Sequence, residues 1–201
     1  MDAELPTSPL LVRLLAEGPW TLAMPLIVLA AALAWWGSRR DQARPILVAV
    51  GLLLAAAATL GGAALWTSPG EHAAERVRTL VAAAEAGDVA AIRACFDGNA
   101  SMHYGSPTAP GDDLDRLMAA AESLAGRHRI ERNDVTRLDL ATADGDRGIV
   151  ILGCRTQTAS SYGPVPTRWW IEVVRGADGE WRIDRLAWLQ VLDRTPERGM
   201  L

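Results

Sequence analysis

Two apolar segments, residues 20–36 and 45–66, lie back to back near the start of the chain and constrain what it can fold into. Each is long enough, at about 1.5 Å per helical residue, to cross a bilayer core roughly 30 Å thick. Neither contains a formally charged side chain, and tryptophans stand at three of their four ends. Such rings favour the headgroup layer of a membrane. The sequence therefore predicts a transmembrane helical hairpin over residues 20–66, followed by a soluble domain over residues 71–201.

The connection between the two segments carries Arg39, Arg40 and Arg44 against the single carboxylate of Asp41. Short loops rich in arginine stay on the cytoplasmic side of a membrane. We therefore expect a protein of the bacterial inner (cytoplasmic) membrane, with both termini and the soluble domain extracytoplasmic and periplasmic in a diderm. Two alternatives stay open: an inverted hairpin, and a signal peptide cleaved near residues 31–34, although the start of the chain lacks a positively charged segment.

The N-terminal segment, residues 1–19, has its own apolar pattern. Leu10, Leu11, Leu14 and Leu15 recur at helical spacing. This spacing predicts either a short helix lying on the membrane surface or an extension of the first span.

The soluble part is mildly acidic. Residues 71–201 hold 20 acidic side chains against 16 arginines, and the chain has no lysine. About 130 residues are enough to bury a core. The negative charge argues against nucleic acid as a partner, because phosphates favour a basic face.

Spacing of apolar residues indicates three helices and then an antiparallel meander. A helix is predicted over 71–86, a short one after an N-cap at Asp88, and a third beginning among Asp112, Asp113 and Asp115. A short strand is predicted near 99–104. From His128 onward the period becomes two, which predicts four strands, near 128–142, 147–158, 167–176 and 180–192.

Over about residues 71–193 the chain resembles the NTF2-like superfamily, also called SnoaL-like or ketosteroid-isomerase-like. The resemblance lies in Ala82-Ala-Ala-Glu-Ala-Gly-Asp88, in residues 92–100 and in Gly179-Glu-Trp-Arg-Ile-Asp-Arg-Leu186. It implies an α+β fold, a cone of three helices packed on a curved antiparallel sheet around a pocket. The superfamily includes isomerases, dehydratases, transport factors and non-catalytic assembly domains, so the fold does not set the function.

Steroid-isomerase chemistry requires a carboxylate base and an acidic group that holds the enolate. The resemblance places the corresponding positions at Tyr104, Leu80 and Ile171, which do not supply these groups. That reaction is therefore not expected here.

Five residues are pocket candidates: His103, Tyr104 and Asp184 as polar groups, and Trp169 and Trp188 as apolar walls. A histidine beside a carboxylate can perform acid–base chemistry. The alternative is that these polar groups face solvent or bond locally, because sequence fixes strand register weakly. His128 and Arg168 are further polar candidates.

Strand alternation puts Trp169 and Trp170 on opposite faces of the sheet. Trp170 is therefore a candidate contact for a partner protein on the convex face, and core packing is the alternative. Three histidines without paired spacing predict no metal site, and nothing predicts a cofactor. Cys95 and Cys154 could pair in an oxidising compartment, or remain two buried thiols.

Our leading hypothesis from sequence is a non-enzymatic, membrane-anchored accessory or assembly subunit of a larger membrane protein complex. Its partners would be membrane lipid and either other subunits or a second copy, since Ala- and Gly-rich helices pack closely. The alternative is a small-molecule carrier or an enzyme of the isomerase, dehydratase or hydrolase type that uses the pocket.

Overall fold

The structure is a computed structural model and describes residues 19–65, 67–126, 128–198 and 200. It divides into two compact units, residues 19–68 and residues 69–200. The surface helix predicted within residues 1–19 and the tryptophan at position 66 lie outside the described residues.

The first unit is a hairpin of helices α1 (Pro19–Arg39) and α2 (Ala43–Leu65). Each helix has two buried alanines seven residues apart, Ala23 and Ala30 on α1 and Ala49 and Ala56 on α2, and all four are at most 2% exposed. The large apolar side chains point outward instead, the reverse of a soluble helical protein. Both helices are long and apolar enough to cross a membrane, by length and composition.

The second unit begins with helix α3 (Pro69–Ala86), followed by α4 (Val89–Ala94), and α5 (Leu114–Ala125) comes later in the chain. Gly87 ends α3 with a φ of 66°, a conformation that glycine adopts without steric cost. The predicted N-cap is confirmed, because the Asp88 carboxylate accepts a 2.9 Å hydrogen bond from the Ala91 N–H. Asp113 caps α5 in the same way, accepting from the Arg116 N–H at 3.1 Å.

Six strands form one curved sheet in the order β2-β1-β6-β5-β4-β3. Their bounds are β1 Phe96–Tyr104, β2 Gly111–Asp113, β3 Ile130–Asp144, β4 Arg147–Thr158, β5 Val165–Arg175 and β6 Trp181–Val191. The predicted meander is confirmed, since β3 to β6 pair antiparallel in sequence order.

The expectation of a wholly antiparallel sheet is wrong, because β1 pairs with β6 in parallel. The chain passes from β1 through β2 and α5 to the far edge at β3, and the meander then returns β6 to the side of β1. The three-residue strand β2, which pairs antiparallel with β1, has no sequence pattern long enough to predict it.

Alternation along the strands gives the sheet two apolar faces. Val150, Leu152 and Cys154 belong to the main core with the helices, and we call this side the helix face. Ile149, Ile151, Trp170 and Ala187 form a separate cluster on what we call the outer face. The helix face is very close to α3 at Gly148, where an added Cβ would lie 2.2 Å from the Pro69 carbonyl oxygen.

Candidate functional site

A cavity of about 350 Å³ lies against the helix face of the sheet. This volume is at the lower end of the range for small-molecule sites. Its wall is almost wholly apolar. Among the residues that line it are Leu80, Val81 and Ala84 of α3, Leu117, Ala120 and Ala121 of α5, and Phe96, Met102, Ile171 and Leu186 of the sheet.

Two tryptophans form part of this wall. The rings of Trp169 and Trp188 stack with centroids 5.2 Å apart and planes 8° from parallel. The Trp169 indole N–H donates to the Thr167 hydroxyl at 3.1 Å. The Trp188 indole N–H is buried and has no hydrogen-bond partner within the described part of the chain. The structure thus places both of these pocket candidates in the cavity wall.

Four uncharged polar residues, Asn133, Thr156, Thr158 and Thr167, also line the cavity, and we call them the polar rim. Each is half-buried. The Thr156 hydroxyl donates to the Asn133 carbonyl Oδ1 at 2.7 Å, and the Asn133 amide Nδ2 donates to Glu85 Oε1 of α3 at 3.0 Å. Asn133 therefore links β3 to both β4 and helix α3.

His103 does not line the cavity. It lies next to Met102 on β1, so its side chain takes the opposite face of the strand. Its Nδ1 lies 2.6 Å from the Ala109 carbonyl oxygen, an acceptor, so Nδ1 carries a proton, and Nε2 lies 3.0 Å from the Ser101 hydroxyl. These bonds give His103 a local role in holding the loop between β1 and β2.

Tyr104 packs against the core, but its hydroxyl is bonded away from the cavity. It donates to Asp112 Oδ2 at 3.1 Å, and Asp112, only 8% exposed, also pairs with Arg198 at 2.6 Å and Arg116 at 3.3 Å. Burial, and then the bond to Asp112, raise the pKa of Tyr104.

For Asp112, burial acts to raise the pKa, but the Tyr104 hydrogen bond and the charges of Arg198 and Arg116 outweigh it and lower the pKa below its ordinary value. Asp112 is thus a paired, ionised carboxylate and is poorly suited to accept a proton.

Asp184 is kept out of the cavity by a β-bulge. In the pairing of β5 with β6, Val173 lies opposite Ile183 while Glu172 lies opposite Arg185, so Asp184 has no opposite residue. The extra residue reverses the alternation that would have turned it inward beside Leu186. Its carboxylate lies 3.8 Å from Arg185 Nε instead.

Trp170 lies on the outer face, as alternation predicts, but it is only 6% exposed and packs with Ile149 and Ile151. The Arg185 guanidinium carbon lies 5.6 Å from the centroid of its ring. The same guanidinium donates to both oxygens of Glu172, at 2.9 and 2.8 Å, and Glu172 is 3% exposed. Trp170 is therefore a packed ring beside a buried ion pair, which agrees with the core-packing alternative and not with an exposed contact for a partner protein.

Both cysteines are buried and free. Burial raises the pKa of Cys95 against an opposing effect of Arg76, and burial likewise raises the pKa of Cys154, which lines the cavity. Neither thiol has the lowered pKa of a reactive cysteine. Of the remaining polar candidates, His128 bonds to the Ser160 hydroxyl at 2.6 Å, and the Arg168 Nε is buried without a partner in the described residues.

The described lining of the cavity contains no carboxylate, histidine or arginine. It therefore offers no group suited to general acid–base catalysis near neutral pH. Nor does the part of the chain that the structure describes bring together three metal-ligating side chains. Sequence reasoning missed the polar rim, although Thr156 and Thr158, two residues apart on one strand, are a weak signal of one polar edge.

No protein-family model and no curated protein matches the sequence. Solved structures do match. A candidate ketosteroid isomerase from Shewanella frigidimarina NCIMB 400 is 17% identical with a TM-score of 0.50, over 60% of this chain and 96% of that one. A ketosteroid isomerase-like protein from Erwinia carotovora atroseptica SCRI1043 is 12% identical with a TM-score of 0.48, over 61% and 95%. An NTF2-like protein from Cytophaga hutchinsonii ATCC 33406 is 13% identical with a TM-score of 0.47, over 56% and 90%.

Likeness at this level of identity concerns the fold and carries no activity with it. The Shewanella protein is matched over nearly its whole length, and the matched share of this chain is close to the size of the second compact unit. The part of the chain that the structure describes therefore consists of two apolar helices followed by a domain with the NTF2-like fold.

Proposed function

We propose that this chain is a membrane-anchored, non-catalytic binding protein whose NTF2-like domain holds an apolar small molecule. The observation that carries the proposal is the 350 Å³ cavity, with its apolar wall and without a carboxylate, histidine or arginine in its described lining. Protein interiors are close-packed and contain few voids larger than a water molecule. A domain that keeps so large an apolar space forgoes the contacts that would fill it, which favours a role in binding.

The anchor is proposed from the hairpin. Its outward side chains are apolar, and the rings of Trp20, Trp35 and Trp36 are exposed. The guanidinium of Arg39 lies 4.7 Å from the Trp35 ring centroid, and that of Arg40 lies 5.0 Å from the Trp36 ring centroid. Such pairs suit the layer between headgroups and water. On the charge rule, Arg39, Arg40 and Arg44 are cytoplasmic and the domain is periplasmic.

The orientation can be tested with protease added to intact spheroplasts. We expect the domain to be digested, and neutral replacements of Arg39, Arg40 and Arg44 should weaken this bias. A wild-type domain that stays protected until the membrane is lysed would place it in the cytoplasm instead.

Binding can be tested with the full chain in phosphatidylcholine nanodiscs and trifluoromethyl-phenyl-diazirine, a small neutral photoprobe. We expect labelled peptides in the domain to include Met102 and Leu186, which are buried but line the cavity. Ala120→Trp should fill the cavity and reduce this labelling. Ala119→Trp, on the same helix but exposed and outside the lining, is the matched control. Labelling confined to the hairpin and to exposed parts of the domain would refute the proposal.

A second candidate, the accessory or assembly subunit, is favoured by one feature of α2. Gly51 and Gly62, eleven residues apart on one helical face, and the neighbouring Gly61 would each accept a Cβ with no described atom within 4 Å. Such a smooth face permits close packing by another helix. Purification from native membranes in mild detergent tests it: co-migrating subunits lost on Gly62→Leu would support it, and a chain that migrates alone would contradict it.

A further inference from the structure

The two ends of the cavity differ chemically. The buried end is formed by apolar side chains such as Phe96, Met102 and Ile171. At the half-buried end, Asn133 lies opposite Thr156 across β3 and β4, and Thr167 lies opposite Cys154 across β4 and β5. The polar rim therefore draws its residues from three neighbouring strands. A molecule with one polar end would lie with that end at the rim.

The polar rim has unused hydrogen-bonding capacity of both kinds. The Asn133 amide uses one N–H for Glu85 and one lone pair for Thr156, and it also interacts with the Cys154 sulfur, so a second lone pair on its oxygen is left. The Thr167 hydroxyl accepts from Trp169, and its own proton has no acceptor among the described residues. A ligand hydroxyl, which donates and accepts at once, can use both.

Charge separates a hydroxyl from an acidic headgroup. All four rim residues are uncharged, and the charged group bonded to them is the Glu85 carboxylate, 3.0 Å from the Asn133 amide. An ionised carboxylate or phosphate at the rim would meet this like charge without a cation in the described lining to offset it. An uncharged hydroxyl is not repelled by the Glu85 carboxylate and needs no cation beside it.

We infer that the cavity binds a single-chain amphiphile with an uncharged hydroxyl head, its apolar chain toward Phe96 and Met102 and its hydroxyl at the polar rim. The inference rests on the proposed binding function and deepens it. The cavity volume suits one small molecule and is too small for a two-chain lipid. The hairpin, if it spans a bilayer, would keep the domain beside a source of such molecules.

The orientation can be tested with two isomeric photoreactive decanols, used on the full chain in phosphatidylcholine nanodiscs. One carries a diazirine at the end of the chain and the other carries it beside the hydroxyl. We expect the first to label peptides that contain Phe96 and Met102, and the second to label peptides that contain Asn133 and Thr156. Reversed labelling, or the same pattern from both probes, would overturn the inference.

The headgroup preference can be tested by competition against the chain-end probe, at equal concentrations in the bilayer. One net hydrogen bond predicts that 1-decanol competes about threefold to tenfold better than 1-chlorodecane. Decanoate should compete less well than decanol because of Glu85. If decanoate or decylamine competes better than decanol, the inference of an uncharged headgroup is wrong.

Variants connect this preference to the polar rim. Asn133→Leu should remove most of the advantage of decanol over chlorodecane, whereas Asn99→Leu, at an exposed position on β1 outside the cavity, should retain it. Glu85→Gln keeps an acceptor for Asn133, so it should retain that advantage while improving competition by decanoate.

The neutral photoprobe distinguishes the two levels of failure. If it labels the cavity in all of these variants but decanol has no advantage in the wild type, the hydroxyl inference is wrong and the binding function stands. If it fails to label the wild-type cavity, the binding function itself is wrong.

Discussion

The two faces of the sheet are built from the same strands and reach opposite results. On the helix face, side chains leave a space of about 350 Å³, and the residues around it are apolar or uncharged. On the outer face, Ile149, Ile151 and Trp170 pack together beside the Glu172–Arg185 ion pair. One face therefore supplies room for a ligand and the other supplies dense packing. If this division holds, substitutions on the two faces should affect binding and stability separately.

The largest effect is expected where the helix face closes against α3. Gly148→Ala would place a methyl group 2.2 Å from the Pro69 carbonyl oxygen and 2.7 Å from the Ala73 Cβ. Because one close atom is backbone, we expect a loss of about 3 kcal/mol or more in the free energy of unfolding. Urea unfolding followed by tryptophan fluorescence would measure it. Gly145→Ala, where an added Cβ meets nothing within 4 Å, is the control, and equal stability of the two variants would contradict the close approach.

A matched pair of isoleucines compares the faces directly, since Ile151 and Ile171 are each 1% exposed. Ile151 packs on the outer face, whereas Ile171 borders the cavity and so has fewer neighbours to lose. We expect Ile151→Ala to cost about 3 kcal/mol and Ile171→Ala about 1 kcal/mol less. The same unfolding assay applies. Equal losses, or a larger loss at Ile171, would mean that the cavity is filled by protein atoms in solution.

The ion pair on the outer face should matter for packing and little for binding. Glu172→Ala leaves the Arg185 and Arg147 guanidiniums without their buried partner, but both retain contact with solvent. We therefore expect a loss of about 2 kcal/mol, below the roughly 3–5 kcal/mol of a fully buried pair. Glu172→Met combined with Arg185→Leu should be less destabilised than either single change. If Glu172→Ala reduces photoprobe labelling by more than its unfolded fraction explains, the two faces do not affect binding and stability separately.

The smallest effect concerns pH and lies away from both faces. The pKa of Asp112 is lower in the folded state, so the unfolded state binds the additional proton as the solution becomes acidic. The stabilisation by Asp112 is therefore present above its ordinary pKa of about 3.8 and is lost as pH falls through the folded value. Urea midpoints of wild type and Asp112→Asn should differ at pH 6 and converge toward pH 2. A constant difference would assign the effect to shape and not to charge.

The elements that sequence predicted correctly are those with a local cause. The apolar period of 3.6 identified α3 and α5, and the period of two identified the meander. Asp88, a residue type that favours N-caps, identified the start of α4. The parallel pairing of β1 with β6 has no such local signal, because the paired residues 102 and 186 are separated in the chain by α5 and most of the meander.

The cavity residues were harder to predict because one extra residue in a strand reverses the face on which the following side chains lie. Trp169 and Trp188 lie in the wall, but the bulge at Asp184 turns that carboxylate away, and local bonds hold His103 elsewhere. Asn133 was missed because its importance comes from Glu85, 48 residues earlier in the chain. Sequence indicated that a pocket exists, but the chemistry of its wall depended on register.

The stacked rings of Trp169 and Trp188 also give the domain an optical property. Two nearly parallel indoles with centroids 5.2 Å apart are close enough for their electronic transitions to couple, and wherever their transition moments are skewed this coupling adds a paired feature to the far-ultraviolet circular dichroism. Both rings border the cavity, so a guest that tilts or separates them changes the sign or size of that feature. If the proposed binding function holds, this signal would report occupancy of the cavity without a dye, and chemical libraries could be screened against it.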